Sequence, residues 1–313
     1  MKGLDLGRCA LGICAAAAIS TGCGAPQPPI AGSPGSRQEA NAKNMDLLYL
    51  ASTDGGHILS YPEGKLVGSF ESTKSLALSY LCSDAKGNVF LTKFKNGSPN
   101  VVEYDHGGTT PIARLHDPGY PWSCSVDPTS GNLAVATYDA SGGGNIAIFS
   151  NARGGPNIYR DPNISTYVYC AYDGQGDLFV DGVKGSKGVL AELPKGSASF
   201  IDLTVNHRYY GGSVVSWDGS YVTLADPLQR VILRLEVSGS TATVVGTTNL
   251  KDWRQGAFKE VWLLGDALIT QPGRHADAGV WRYPAGGRPK RVFRTFEKGT
   301  GVDGVTVSVA PNR

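Results

Sequence analysis

A short glycine turn recurs six times along this chain, and its spacing limits the fold more than any other feature. The copies are Tyr61-Pro-Glu-Gly64, Tyr104-Asp-His-Gly107-Gly108, Phe149-Ser-Asn-Ala-Arg-Gly154-Gly155, Leu193-Pro-Lys-Gly196, Leu235-Glu-Val-Ser-Gly239 and Tyr283-Pro-Ala-Gly286-Gly287. Successive glycines lie 43, 47, 42, 43 and 47 residues apart. A period of that size marks stacked supersecondary units, none able to bury its own apolar face alone.

Five of the six units carry a second signature, and the first lacks it. It reads Cys82-Ser-Asp84-Ala-Lys-Gly87-Asn-Val-Phe-Leu91, Ser125-Val-Asp127-Pro-Thr-Ser-Gly131-Asn-Leu-Ala-Val135, Ala171-Tyr-Asp173-Gly-Gln-Gly176-Asp-Leu-Phe-Val180 and Ser216-Trp-Asp218-Gly-Ser-Tyr-Val-Thr-Leu224. A worn fifth copy stands at Leu264-Gly-Asp266-Ala-Leu-Ile269. This is hairpin chemistry: Asp bonds the turn backbone, Gly takes a positive φ, and β-forming residues start the next strand. Alternating or apolar runs such as Leu133–Thr137 and Val231–Leu235 separate the signatures. Four short antiparallel strands per unit make the blade of a β-propeller. The count is six. The first unit lacks an inner strand, while Val302-Asp-Gly-Val-Thr-Val-Ser-Val309 is a strand without a unit. The spacing therefore predicts an all-β, six-bladed propeller over residues 45–313, closed by the C-terminal strand completing the first blade.

The N-terminal part reads differently. Lys2 and Arg8 precede an apolar run, Cys9–Ile19, far short of the roughly twenty residues a membrane-spanning helix needs. Residues 1–22 are expected to be a secretory signal peptide. The end of that segment, Ile19-Ser-Thr-Gly-Cys23, resembles a bacterial lipobox, which implies lipidation of Cys23. Residues 23–44 are rich in Pro, Gly and Ser and read as a linker.

The Asp-x-x-Gly-Asn-hydrophobic-aromatic pattern resembles the NHL-type repeat of six-bladed propellers, and Trp217-Asp-Gly-Ser-Tyr is similar to TolB-type blades. The chain also resembles uncharacterised exported propeller lipoproteins of soil bacteria. These likenesses rest on turn residues, which specify geometry, so they imply a fold and no activity. Zinc-type His/Cys spacing and a Gly-x-Ser-x-Gly elbow are both absent from the sequence. No catalytic residue, metal ligand or cofactor is assigned. A formal net charge of +2 leaves no nucleic-acid footprint. The basic run Arg288–Lys298 reads as a solvated edge strand protected by charge.

Without the signal and Cys23, three cysteines remain: Cys82, Cys124 and Cys170, an odd number for an oxidising compartment. All fall on expected inner strands. A Cys124–Cys170 bridge would need Cα atoms within about 7 Å; buried free thiols are the alternative.

Propeller ligands sit where loops converge at the channel mouth. The candidate ligand face comprises Tyr120, Trp122, Tyr167, Tyr209, Tyr210 and Trp253 with Asp181, Asp226 and His275. Aromatic faces beside polar groups suit a sugar or a peptide, and packing between blades is the competing role for most of them. The sequence thus points to an exported, lipid-anchored binding or scaffolding module at the cell envelope, periplasmic or on the outer surface. Its expected partners are the membrane, through the lipid, and a protein, peptide or carbohydrate ligand. A lactonase-like hydrolase with its site at the mouth is the alternative. Cys23→Ser is expected to move the protein from the membrane to the soluble fraction on cell fractionation; unchanged membrane partitioning would refute the anchor.

Overall fold

The computed structural model describes residues 44–52, 55–70, 79–94, 100–139, 143–209, 211–226, 229–251, 260–271, 277–294 and 301–311. Cys23 and the segments assigned to signal and linker, up to residue 43, lie outside the described residues. Apart from one 3₁₀ turn at Ser150–Ala152, the regular structure described is all strand.

The strands follow the chain as β1 (Leu47–Ser52), β2 (Gly55–Ser60) and β3 (Leu66–Phe70), then β4 (Ser79–Ser83), β5 (Val89–Lys93), β6 (Val101–Tyr104) and β7 (Pro111–Leu115). Next come β8 (Tyr120–Val126), β9 (Leu133–Asp139), β10 (Gly143–Phe149) and β11 (Asn157–Tyr159). β12 (Thr166–Tyr172), β13 (Leu178–Lys184), β14 (Lys187–Leu193) and β15 (Ile201–Val205) precede β16 (Val214–Trp217), β17 (Val222–Asp226), β18 (Val231–Ser238) and β19 (Thr241–Asn249). The chain finishes with β20 (Val261–Leu264), β21 (Ala267–Thr270), β22 (Asp277–Arg282), β23 (Gly286–Arg294) and β24 (Val302–Ser308).

The arrangement is propeller-like. Four sheets have four strands each, in the orders β24-β1-β2-β3, β4-β5-β6-β7, β8-β9-β10-β11 and β20-β21-β22-β23. An eight-stranded sheet joins β12–β15 to β16–β19 through a short parallel contact, Thr204↔Thr241 and Val205↔Ala242. All other ladders are antiparallel. Innermost strands touch in the sequence β24, β4, β8, β12, β16, β20 and back to β24.

Both turn signatures do what their chemistry requires. Asp84 accepts the N–H groups of Lys86 (2.9 Å) and Asn88 (2.8 Å) between β4 and β5. Asp173 accepts those of Gln175, Gly176 and Asp177 between β12 and β13. The six glycines of the recurring turn all have φ between +58° and +79°, a region that costs other residues steric strain. Each lies between the third and fourth strands of its set, or in the case of Gly286 at the first residue of the fourth, at the same end as the Asp hairpins.

Burial falls from the axis outward. Every residue of β24 and β1 is buried, while β3, β7, β15 and β23 alternate between exposed and covered positions. Apolar side chains gather between neighbouring sheets, as Tyr49, Ile58, Leu81 and Leu91 do between the first two. Others, Leu48, Ile269, Val280 and Val305 among them, fill the seam between the last sheet and the first. The basic run from Arg288 to Arg294 lies on β23, an outermost strand, with its cations exposed.

Serines on the inner strands tie adjacent sheets across the seams. Ser83 donates to the Val307 carbonyl (2.9 Å), and Ser216 to that of Val261 (3.3 Å). Ser123 and Ser125 accept the N–H groups of Cys170 (3.1 Å) and Tyr172 (3.0 Å). Glu260, just before β20, reaches furthest: its carboxylate accepts N–H from Leu81 of β4 (3.1 Å) and Val305 of β24 (2.5 Å). Burial holds that carboxyl well above the usual range, the two N–H donors oppose the shift, and the charge of Asp303 adds to it. Such a group contributes stability while protonated and loses it as pH rises from the ordinary value of 4.5 toward the raised folded value. Glu260→Gln does not titrate. Between about pH 4 and pH 8 the wild type should therefore lose stability relative to Glu260→Gln in urea unfolding; a pH-independent difference would contradict this assignment.

Candidate functional site

The channel has two ends, and the sequence singled out the one opposite the hairpins. There, residues at the beginning of β8 and the end of β9 build an aromatic platform. Phe94 packs edge-on to Trp122 (4.9 Å between centroids) and against Tyr120 (5.2 Å) and Tyr138 (5.9 Å). Behind it Trp122 stacks on Tyr80 at 5.6 Å, and Tyr80 meets Tyr169 edge to face at 6.1 Å on the channel wall. Phe94, Tyr120, Trp122 and Tyr138 are all half-buried, so the platform keeps an accessible surface. A bulge between Pro121 and Ser123 turns Trp122 out of the ladder's alternation and into this group.

Other residues expected on this face have structural work instead. Tyr167 is 1% exposed, and its hydroxyl bonds the backbone of Asp161. Burial pushes that phenol up to about 12. Asp181 and Asp226 are 0% exposed. Asp181 lies inside β13 and not in a loop at the mouth, because β13 and β14 form a tight hairpin ending at the Lys184↔Lys187 pair. Its carboxylate accepts N–H from Gly212 (2.9 Å) and Ser213 (2.8 Å), fixing the start of β16. Asp226 ends β17 and accepts from the backbone and side-chain amides of Gln229, both at 2.9 Å. Burial holds the Asp181 carboxyl well above the usual carboxylate range, against the pull of its two N–H donors. Tyr209 is half-buried and packs on the largest apolar cluster. Its hydroxyl is buried with no hydrogen-bond partner among the described residues. Tyr210, Trp253 and His275 lie outside the described residues.

The cysteines pair otherwise than the considered Cys124–Cys170 bridge. Cys82 of β4 and Cys124 of β8 form a disulfide, with Cα atoms 5.7 Å apart. Cys170 is a buried free thiol. Its sulfur lies 3.9 Å from Ser123 Oγ and 3.8 Å from the Ala134 carbonyl oxygen, so Ser123 and not Cys124 faces it. Burial pushes the thiol up to about 12, leaving it a weak nucleophile.

At the hairpin end the inner strands enclose an axial cavity of about 240 Å³. The disulfide, Tyr169, Tyr172, Trp217, Trp262 and Glu260 all line it. Sequence reasoning missed Glu260 because it stands before a worn repeat, away from any clear signature. Its only signal was position, one residue ahead of the run that became β20. Among the described residues, no group of three or more His, Cys, Asp or Glu side chains is placed to hold a metal ion.

Neither a protein-family model nor a curated protein sequence matches the chain. Solved structures do. A chain of the nidogen/laminin complex superposes with a TM-score of 0.68 at 14% identity, covering 85% of this chain and 99% of that one. A protein of unknown function from Bacteroides caccae gives a TM-score of 0.61 at 10% identity, with the same coverages. At such identities the likeness shows the fold alone, and that fold is a β-propeller.

Proposed function

We propose that the chain is an exported, lipid-anchored, six-bladed β-propeller of NHL or TolB type that acts as a binding module at the cell envelope. It takes a carbohydrate or peptide ligand at the aromatic end of its channel. The half-exposed platform of Phe94, Tyr120, Trp122 and Tyr138 carries this reading. Flat, weakly hydrated faces held by their neighbours lose little entropy when a sugar ring or an extended peptide stacks on them. Six blades are supported by the closed succession of six innermost strands and by an apolar layer in every seam between neighbouring sheets. Export is supported by the Cys82–Cys124 disulfide, since such bonds persist mainly in oxidising compartments. The lipid anchor rests on the Gly22-Cys23 sequence.

The buried acids near the axis argue for binding over catalysis. Asp181, Asp226 and Glu260 already accept backbone or amide hydrogens, so their lone pairs serve the fold. Trp122→Ala combined with Tyr120→Ala is expected to lower affinity for immobilised envelope polysaccharide or peptide tenfold or more, about 1.4 kcal/mol, by surface plasmon resonance. Retention of wild-type affinity by the double variant would sink the assignment.

A further inference from the structure

One outermost strand differs from the rest in charge. β23 carries Arg288, Lys290, Arg291 and Arg294, all exposed. Of the other five outermost strands, β3, β11, β15 and β19 have no Lys or Arg, and β7 has one, Arg114. Basic residues on an edge guard it against pairing with another chain. That role does not account for the difference, because β3, β7 and β11 are outermost too and do with a single cation among them. Overall composition does not account for it either, since the whole chain has a formal net charge of only +2.

The basic surface spreads to both sides of β23. Lys251 donates its backbone N–H to Gly287 at 2.7 Å, and Lys65 follows Gly64, which leaves no room for a Cβ against the Phe293 ring. Both lysines are exposed. Against these six cations stand three carboxylates: Glu63, Asp266 and, opposite Arg294 in the ladder, Asp277. Asp266 takes Lys290 at 3.4 Å with its own side chain 84% exposed, a kind of pair that contributes little. Arg291 lies against the Phe293 ring at 6.0 Å. Val292 and Leu66 add exposed aliphatic surface among the cations.

The chain enters the domain beside this wall. The Asp46 carbonyl accepts the Tyr61 N–H at 2.8 Å, and the charges of Asp266, Arg291 and Asp46 all act on the Tyr61 hydroxyl. Between Cys23 and Asp46 the sequence can reach about 75 Å at full extension. A lipid on Cys23 would hold the domain near a bilayer without fixing which wall faces it. Acyl chains and a basic surface act together at anionic membranes, the second supplying the orientation that the first lacks.

We propose that the β23 wall is a membrane-docking surface that seats on anionic phospholipid headgroups and orients the propeller against the bilayer. This rests on the envelope location proposed above and adds which surface of the domain faces the lipid. The cations meet the phosphates, and Val292 and Leu66 rest at the level of the headgroups. A polymeric anion would meet the cations equally well but would leave those two side chains in water. Docking through an outermost strand keeps the aromatic platform, built by the second and third sheets, clear of the bilayer.

The test uses the full chain with Cys23→Ser, which carries no acyl chain, and phosphatidylcholine vesicles with or without about one-third phosphatidylglycerol. On cosedimentation the chain should bind the anionic vesicles and not the neutral ones. Raising salt from about 0.05 M to about 0.5 M should release it. Arg288→Gln with Lys290→Gln and Arg291→Gln should weaken binding about tenfold or more. Lys86→Gln with Arg114→Gln and Lys187→Gln removes the same charge from other sheets and should leave binding nearly unchanged. Both triple variants should keep the wild-type thermal midpoint, because all six side chains are exposed. The proposal is overturned by absence of binding to the anionic vesicles, by binding that salt does not release, or by equal weakening in the two triple variants. Binding to heparin without binding to the vesicles overturns it as well and assigns the face to a polymer. Since the acyl chain is absent throughout, failure of this surface and failure of the lipid anchor on cell fractionation are separate results.

Discussion

Seven residues from the far end of the chain supply the strand on which the first sheet is built. β24 pairs with β1 from Leu47↔Ser308 to Ser52↔Val302, so the sheet that begins the domain is finished only when the last strand arrives. Bringing together ends separated by some 250 residues costs about 5 kcal/mol in loop-closure entropy. Three buried valines, Val302, Val305 and Val307, offset that at about 1.5–3 kcal/mol each. Polar ties then fix the register. Ala310 donates its N–H to Asp46 (3.0 Å), and Ser308 meets His106 (2.5 Å) from the second sheet. Glu260 binds β4 and β24 together from the last sheet.

Closure of this kind explains where the polar groups near the axis go. Inner strands pair on one side only, so their free backbone groups face the neighbouring sheet across a seam. Serine hydroxyls and a few carboxylates supply the missing partners at Val307, Val261, Cys170, Tyr172, Leu81 and Val305. Asp181 does the same for the start of β16. An acid near the axis of such a fold is thus as readily a structural acceptor as a catalyst. Function has to be sought among side chains that the ring does not use, such as the half-exposed aromatics at the end opposite the hairpins.

The turns were legible because they demand particular residues. A left-handed φ at Gly64 or Gly196 and an acceptor at Asp84 or Asp173 leave few alternatives, so their period exposed the sheet boundaries. The pairing of β24 with β1 was legible for a related reason: an orphan strand and an incomplete first unit complete one another. Side-chain roles were harder to read. Tyr167 and Trp122 are both aromatic residues near the start of an inner strand, yet one is buried around Asp161 and the other lies in an accessible cluster. The disulfide depended on which residue of β8 faces β12, and Ser123 took that position. Periodicity carries no information on any of these, because they are settled by bulges and by packing between sheets.

Deletion of residues 302–313, followed by urea and thermal unfolding with sedimentation, tests most directly whether the final strand holds the ring. The account predicts loss of the cooperative transition and association of the shortened chain through the uncovered edge of β1. A soluble monomer that unfolds cooperatively near the wild-type midpoint would contradict it.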